Sequence, residues 1–188
     1  MKSLKMAASV FFIVPIAALI ASTFFLVSLS VQAAPSSSQL ISMLIGYEWR
    51  MDEAKWRQFD SSTGLALINI ANDSSQDSMV RMRAMKVMAL FPNVQVENFL
   101  LQELRAAPNA VTKRWIFSAL LQGFGQSENS TIENLAITLL GQNDPHLRIR
   151  AATWLSRFGQ VAGREAVQRY LSNDIEPWER ERSSQTPK

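Results

Sequence analysis

Hydrophobic residues beyond residue 40 recur at steps of three, four and seven, the spacing that places them on one face of an α-helix. In the first such stretch Ile45, Trp49 and Trp56 follow at steps of four and seven and share a face, which predicts a helix over 41–59. The polar run "SSTG" at 61–64 then interrupts the pattern. We therefore expect the folded part of the chain to begin with a helix whose apolar face packs against another part of the protein.

The same periodicity continues along the chain, and glycine or proline follows several of the apolar stretches. Pro92, Gly123 and Gly159 stand where helices should stop, because proline cannot continue a helix and glycine favours its C-terminal cap. The further predicted helices cover 65–71, 79–91, 96–105, 110–122, 130–140, 147–158 and 162–171. The sequence therefore predicts an all-α fold.

The pattern also repeats itself. The segment "VRMRAMKVMALFPN" at 80–93 aligns without gaps with "LRIRAATWLSRFGQ" at 147–160, at a constant separation of 67 residues. Phe124 falls between Phe91 and Phe158, at separations of 33 and 34 residues. The matched pairs are Val80 with Leu147, Arg81 with Arg148, Arg83 with Arg150, Ala84 with Ala151, and Phe91 with Phe158. A fixed period of this size predicts stacked helix-turn-helix units, which form an α-solenoid.

The motif at 144–159 has the pattern D-P-x-L-R-x-R-A-A-x-x-L-x-x-F-G. It resembles the HEAT-like repeat of the armadillo type, in which an Asp-Pro turn leads into a first helix carrying Arg-x-Arg-Ala-Ala. The resemblance is close over 144–171, partial over 77–105 and weak over 109–141, with 38–72 as a degenerate capping repeat. It implies a right-handed α-solenoid of about three to four HEAT-like helix hairpins. Tetratricopeptide repeats share the period, but their Trp-x-x-Leu-Gly-x-x-Tyr signature is missing.

The residue sizes within the repeats favour stacking on physical grounds alone. Ala84, Ala151 and Ala152 allow neighbouring helices to approach closely. The stretch "WIFSALL" at 115–121 is apolar on almost every side, which a helix tolerates when both of its faces are covered. We expect this helix to lie in the centre of the fold.

The N-terminus predicts export. Lys2 and Lys5 precede an uncharged, apolar stretch that extends to Val31, and small residues before Ala34 fit a signal-peptidase site. Cleavage there would give a mature chain in the bacterial periplasm that begins at Ala34. The apolar stretch is also long enough for a membrane helix, so residues 7–31 could instead remain as an inner-membrane anchor with a periplasmic domain.

Four segments result from these patterns. Residues 1–33 form a signal peptide or an uncleaved membrane anchor, and 34–39 form a flexible spacer. Residues 40–172 form the HEAT-like α-solenoid, and 173–188 form a charged, proline-containing tail that is predicted to be disordered.

Composition excludes several kinds of chemistry. The chain has no cysteine and one histidine, His146, so thiolate catalysis and cysteine or multi-histidine metal sites are excluded. The spacing Asp73-x-Ser75-x-Asp77 suggests a calcium loop but lacks its glycine and its final acidic ligand. We predict no cofactor and no metal. Without Lys2 and Lys5, 17 basic residues face 16 acidic ones, which argues against a nucleic-acid partner.

A row of basic residues recurs in the first helices of the repeats, with an aspartate at two of the turns. The predicted row consists of Asp77, Arg81, Arg83, Arg114, Asp144, Arg148 and Arg150. It is interpreted either as an internal ladder of arginines to turn aspartates and helix ends, or as a stripe that binds an anionic ligand. Trp49 and Trp56 are interpreted as core residues, or alternatively as a surface for bases or a membrane. His146 is expected to be a solvated helix-start residue.

No nucleophile, base and orienting group occur together in a recognisable pattern, so we predict a protein without enzymatic activity. Solenoids of this family expose a concave wall lined by second helices, which the resemblance implies as the site for a protein or peptide partner. The candidate partner-binding residues are Glu97, Asn98, Gln102, Glu133, Asn134, Arg164, Gln168 and Arg169. The favoured hypothesis is therefore a periplasmic scaffold or adaptor.

Two alternatives remain open from the sequence. If residues 7–31 are retained, the protein is an inner-membrane-anchored subunit of an envelope assembly. Some HEAT-like proteins act as lyases or isomerases on tetrapyrrole–protein conjugates and others recognise damaged bases, so the fold alone permits an enzyme. The predicted export argues against both of those activities.

Overall fold

The computed structural model describes residues 35–173 and 175–184, which fold into helices without a β-strand. The helices are α1 (Ser37–Leu44), α2 (Glu53–Trp56), α3 (Thr63–Asn72), α4 (Ser78–Met88), α5 (Val94–Ala106), α6 (Ala110–Phe124), α7 (Ser130–Leu139), α8 (Pro145–Phe158), α9 (Val161–Ser172) and α10 (Pro177–Ser184). The predicted all-α class is confirmed for this part of the chain. Within it, each helix is too short or too polar to cross a membrane. The signal or anchor segment 1–33 lies outside the described residues.

The helices pack in two rows. The first row consists of α1, α4, α6, α8 and α10, each of which contacts the next helix of the row. The second row consists of α3, α5, α7 and α9, in which α3 contacts α5 and α7 contacts α9. In addition, α3, α5 and α7 each pack against the first-row helix that follows them in the chain. The apolar core therefore lies between the rows.

Helix α6 lies at the centre of this arrangement, as its apolar composition predicts. It contacts α4 and α8 within its own row and α5 and α7 across the core. Ile116, Phe117 and Leu120 are almost completely buried. The small residues Ala84 and Ala151 are also inaccessible to solvent, at 0% exposure, so both belong to the packed interior.

Short polar side chains begin the helices at repeating positions. Asp77, Asn109 and Asp144 cap the N-termini of α4, α6 and α8, and Asn93 and Asn129 cap α5 and α7. In each case a side-chain oxygen accepts a hydrogen bond from a backbone N–H of the first turn, a group that has no partner within the helix. These caps fix the starting points of the hairpins.

The helix predicted over 41–59 is wrong, because the chain breaks after Leu44 and resumes only in the short α2. Gly46 adopts φ of 133°, a conformation that side-chain-bearing residues avoid. The indole Nε1 of Trp49 then donates to the carbonyl of Met43 at 2.9 Å, which satisfies a group at the end of α1. Trp49 therefore belongs to a loop that folds back on α1.

The run "SSTG" at 61–64 does not simply separate helices, since α3 begins at Thr63. Thr63 and Gly64 are both buried. A Cβ atom at Gly64 would lie 3.0 Å from Cγ2 of Val96 and 3.2 Å from Nδ2 of Asn93. The glycine therefore allows α3 and α5 to approach closely, a role that hydrophobic periodicity cannot reveal.

The two segments that flank the repeats contain more structure than the sequence predicts. In the predicted spacer, Ser36 caps α1 by accepting from the backbone N–H of Gln39 at 3.3 Å, so helix formation begins at Ser37. In the predicted disordered tail, Pro177–Ser184 forms α10, which packs against α8. Disorder was predicted from the high charge of this segment. The prediction is wrong for Pro177–Ser184 because Arg148 of α8 pairs with Glu179, a contact that the local sequence does not reveal.

Candidate functional site

In α4 both arginines of the motif bind carbonyl groups at the ends of neighbouring helices. Arg81 Nε donates to the carbonyl of Ala71 in the last turn of α3, at 2.7 Å. Arg83 Nη1 donates to the carbonyl of Leu44, the last residue of α1, also at 2.7 Å. The guanidinium of Arg83 also lies 5.2 Å from the ring centre of Trp49, within cation–π distance. Both side chains therefore hold helices together.

The matching arginines of α8 have different partners. Arg148 binds Glu179 of α10 through Nε and Nη2, at 2.6 and 2.7 Å, and also donates to the carbonyl of Gln142 at 2.8 Å. Arg150 Nη1 makes a longer contact of 3.4 Å with the carbonyl of Arg114. Arg114 itself pairs with Asp144 at 3.2 Å, which links α6 to the turn before α8.

The Arg148–Glu179 pair lies in a buried polar cluster that joins α8, α9 and α10. The Glu179 side chain is 1% exposed, and its Oε1 also accepts a hydrogen bond of 2.5 Å from the Tyr170 hydroxyl. Hydrogen bonds from Arg148 lower the pKa of Glu179, whereas burial raises the pKa of Tyr170. Every charge in this cluster has a partner, so removal of Arg148 alone would leave the buried carboxylate of Glu179 without its countercharge.

Arg150 differs from the other arginines of the row. Among residues 35–173 and 175–184, no carboxylate oxygen lies within salt-bridge distance of its guanidinium. Its side chain stays open to solvent, yet packing around the guanidinium and the positive charge of Arg114 lower its pKa. The guanidinium of Arg150 is therefore held beside that of Arg114 and could form an ion pair with an anion.

Arg150 lies in a groove on the outer side of the first row, which we name the first-row groove. It consists of two adjoining depressions of about 540 and 300 Å³ that share Gln122 and Arg150. Its lining includes Lys86, Arg114, Trp115, Leu121, Gln122, Ile149, Arg150, Arg157, Phe158 and Arg182. Neither depression has an aspartate or glutamate in its lining. The groove therefore combines several cations with apolar side chains.

Aromatic rings hold the cation at one end of the groove. The Lys86 ammonium lies 5.6 Å from the ring centre of Trp49 and 5.4 Å from that of Trp115. Both distances allow cation–π attraction, which positions the ammonium without neutralising its charge. Carboxylates approach the groove at two places, since Glu53 of α2 accepts a 3.0 Å hydrogen bond from Gln122 and Asp144 pairs with Arg114 at 3.2 Å.

The candidate partner-binding residues on the second row lie mostly at the surface, in a set that we name the second-row wall. Glu97 is half-buried. The exposed members are Asn98, Gln102, Asn134, Arg164, Gln168 and Arg169. Arg169 makes an exposed ion pair with Glu165 at 3.8 Å, and Arg164 donates to the carbonyl of Gly159 at 2.7 Å. The wall is thus dominated by amide side chains.

Glu133 is a correction to the predicted wall. Its residue surface is only 6% exposed, and Oε1 accepts hydrogen bonds of 2.9 Å from the backbone N–H groups of Gln160 and Gly163. These donors lie at the N-terminus of α9, where a negative charge is favourable. The carboxylate therefore fastens α7 to α9 and does not face a partner.

The remaining candidates have local roles. His146 is exposed at the start of α8, and its ring lies 6.0 Å from that of Trp178, which is 40% exposed. Trp56 is a core residue at 2% exposure. Asp73 accepts hydrogen bonds from the backbone and hydroxyl of Ser75, and Asp77 caps α4. Within the part of the chain that the structure describes, no three acidic or histidine side chains are placed to hold a metal ion.

Sequence reasoning identified Arg150 but missed most of the groove. Lys86, Gln122 and Arg182 come from three different helices, so no spacing along the chain connects them. Arg157 could have been predicted from the sequence, because it follows Arg150 by seven residues and therefore lies on the same face of α8. That spacing could have extended the predicted row beyond the repeated motif.

The chain was compared with protein-family models, curated proteins and solved structures. None of these comparisons finds a match. The geometry of the first-row groove and the second-row wall is therefore the basis for a functional proposal.

Proposed function

We propose that this protein is a scaffold or adaptor without enzymatic activity, built as a short right-handed HEAT-like solenoid, that binds a protein or peptide partner on the second-row wall. The packing of the helices in two rows supports this proposal. A row of parallel hairpins offers an extended surface to a macromolecule, as solenoid proteins do. Export to the periplasm, with residues 1–33 as signal or anchor, is part of the same proposal.

The chemistry of the second-row wall is the observation that carries the proposal. Asn98, Gln102, Asn134 and Gln168 present carboxamides on three successive helices of the second row. A carboxamide both donates and accepts hydrogen bonds but does not titrate near neutral pH, which suits recognition of a peptide backbone more than acid–base catalysis. Such uncharged polar groups also lose little on partial desolvation compared with charges.

The wall is tested with the variant Asn98→Glu/Gln102→Glu/Asn134→Glu. Partners are recorded by crosslinking and mass spectrometry in the intact cell envelope, where the full chain is in its own compartment. We expect the crosslinks formed by the wild-type chain to be lost, because three added negative charges repel or fail to pair with the partner surface. Circular dichroism must show that the variant remains folded.

The control variant is Gln58→Glu/Ser74→Glu/Ser127→Glu, which adds the same charge at exposed loop positions. It should keep the wild-type crosslinks. If the wall variant also keeps them, the partner does not bind the second row and the proposed binding face is wrong.

The N-terminus decides between the two exported forms. Sequencing of the purified protein should give Ala34 as the first residue if the signal is cleaved, which corresponds to a periplasmic scaffold. Met1 as the first residue would instead correspond to an inner-membrane-anchored subunit of an envelope assembly. A chain recovered from the cytoplasm would overturn the export part of the proposal.

A further inference from the structure

The first-row groove has features that a purely structural surface does not need. Its cations are Lys86, Arg114, Arg150, Arg157 and Arg182, and only Arg114 is paired with a carboxylate among the described residues. Like charges in one depression repel each other and lower the stability of the fold. A site lined by charges of one sign attracts ligands of the opposite sign, and a bound anion would offset this repulsion.

The apolar side chains in the groove indicate which class of anionic ligand it would bind. Leu121, Ile149 and Phe158 line the same depression as Arg150 and Arg157. Inorganic phosphate or another small hydrophilic anion would use the cations but not this apolar surface. A segment of polypeptide can offer both carboxylates and an apolar side chain, which fits the mixed chemistry of the groove.

The length of the groove also suits a peptide. It extends along the first row from Lys86 on α4 to Arg157 on α8. Two steps between neighbouring helices of about 8–10 Å each correspond to about six residues of extended chain. Nucleic acid fits less well, since the chain beyond its N-terminal lysines has almost balanced charge.

We propose that the first-row groove binds an acidic segment of a partner protein, whose carboxylates pair with Arg150, Arg157 and Lys86 while an apolar side chain packs between Ile149 and Phe158. Arginine suits this role because its planar guanidinium binds a carboxylate through two parallel hydrogen bonds. The surface lies on the opposite row from the second-row wall, so the two proposals stand or fall separately.

Peptide selection tests this assignment without knowledge of the partner. Random twelve-residue peptides displayed on phage are selected on the purified full chain, and the enriched sequences are then synthesised with a fluorescent label. We expect enrichment of Asp and Glu together with at least one large apolar residue. Binding measured by fluorescence anisotropy should weaken as salt is raised, because ion pairs at an open groove are screened.

The groove variant is Arg150→Glu/Arg157→Glu, which should lower the affinity for the selected peptides at least tenfold. The matched control is Arg50→Glu/Arg105→Glu, which reverses two exposed arginines that lie outside both the groove and the second-row wall and should leave the affinity within about twofold. The neutral variant Arg150→Gln/Arg157→Gln should fall between the two. Melting curves establish that all three variants are folded.

Three outcomes would overturn the proposal. Selection without enrichment of acidic residues is the first, and equal binding of the selected peptides to the groove variant is the second. The third is binding of vesicles that contain phosphatidylglycerol, sensitive to Arg150→Glu/Arg157→Glu, in the absence of peptide binding. That result would assign the groove to a membrane surface.

Discussion

Helices α4 and α8 carry the same Arg-x-Arg-Ala motif, 67 residues apart, yet their second arginines are in different situations. Arg83 in α4 donates a 2.7 Å hydrogen bond to a helix-end carbonyl and stacks on Trp49. Arg150 in α8 makes a 3.4 Å contact with the carbonyl of Arg114 and lies beside a second positive charge. Equivalent positions in a repeat therefore do not have equivalent roles.

The difference arises from the neighbouring helix and not from the motif. The helix before α4 in the first row is α1, which ends at Leu44 and exposes its last carbonyl groups. The helix before α8 is α6, which continues to Phe124, so the carbonyls near Arg150 are already used within α6. An arginine becomes available for a ligand where the fold does not supply a stronger partner.

The largest effect should come from the first arginine of the motif. Arg148→Ala leaves Glu179 buried without its partner, which should lower the free energy of unfolding by about 3 kcal/mol. Arg81→Ala removes a bond to a neutral carbonyl and should cost about 1.5 kcal/mol. Urea denaturation of both variants and the wild type measures the two losses in the free energy of unfolding. Equal losses would mean that Glu179 does not depend on Arg148.

Acid should weaken the C-terminal end of the fold. The pKa of Glu179 lies below its ordinary value of 4.5 in the folded chain, because Arg148 donates hydrogen bonds to its carboxylate. A lowered folded-state pKa means that the pair contributes its full stabilisation above pH 4.5 and loses it as the pH falls through the folded-state pKa.

The melting temperature of the wild-type chain should therefore fall more steeply below pH 4.5 than that of Glu179→Gln, which has no titrating group at this position. Differential scanning calorimetry across this range provides the measurement. Parallel profiles for the two chains would contradict the assignment of the acid sensitivity to Glu179.

A smaller effect is expected at Arg83. Arg83→Gln removes a charge-assisted hydrogen bond to Leu44 and the contact with Trp49, which together should contribute about 1.5 kcal/mol to the free energy of unfolding. The loss should appear as a lower urea midpoint with an unchanged slope. A midpoint equal to that of the wild type would show that α1 does not depend on Arg83.

The smallest stability change is expected at the equivalent position in α8. Arg150→Gln removes a repulsive charge and one long contact, so the free energy of unfolding should stay within about 0.5 kcal/mol of the wild type or rise. The same variant should weaken binding of acidic peptides. A loss of stability as large as that of Arg83→Gln would show that Arg150 has a structural role after all.

Much of the helical part could be predicted from the sequence because its signals are local. The apolar residues on almost every side of 115–121 placed α6 at the centre, and Asp144 and Pro145, both typical of a helix start, mark the beginning of α8. The loop around Gly46 escaped prediction, because Trp49 and Trp56 happen to continue the helical spacing across a break in the chain. Local periodicity does not distinguish one long helix from a helix and a returning loop.

The candidate site depended more on tertiary contacts. The repeat identified Arg150, but only packing showed that Arg148 is paired with Glu179 while Arg150 has no carboxylate among the described residues. Glu133 illustrates the opposite case, in which a residue chosen for a polar surface caps a neighbouring helix. The partner of a charged side chain often lies far away in the chain, at a distance that no local pattern contains.

The sequence by itself determined that this chain forms helices of a repeating pattern, because backbone hydrogen bonding, capping and apolar spacing act over a few residues. The tertiary structure decided which of the repeated charges are neutralised, because an ion pair depends on where the ends of other helices fall. The separation of seven residues between Arg150 and Arg157 can be read from the sequence, but the groove that they share with Lys86 and Arg182 exists only after four helices, α4, α6, α8 and α10, have packed side by side.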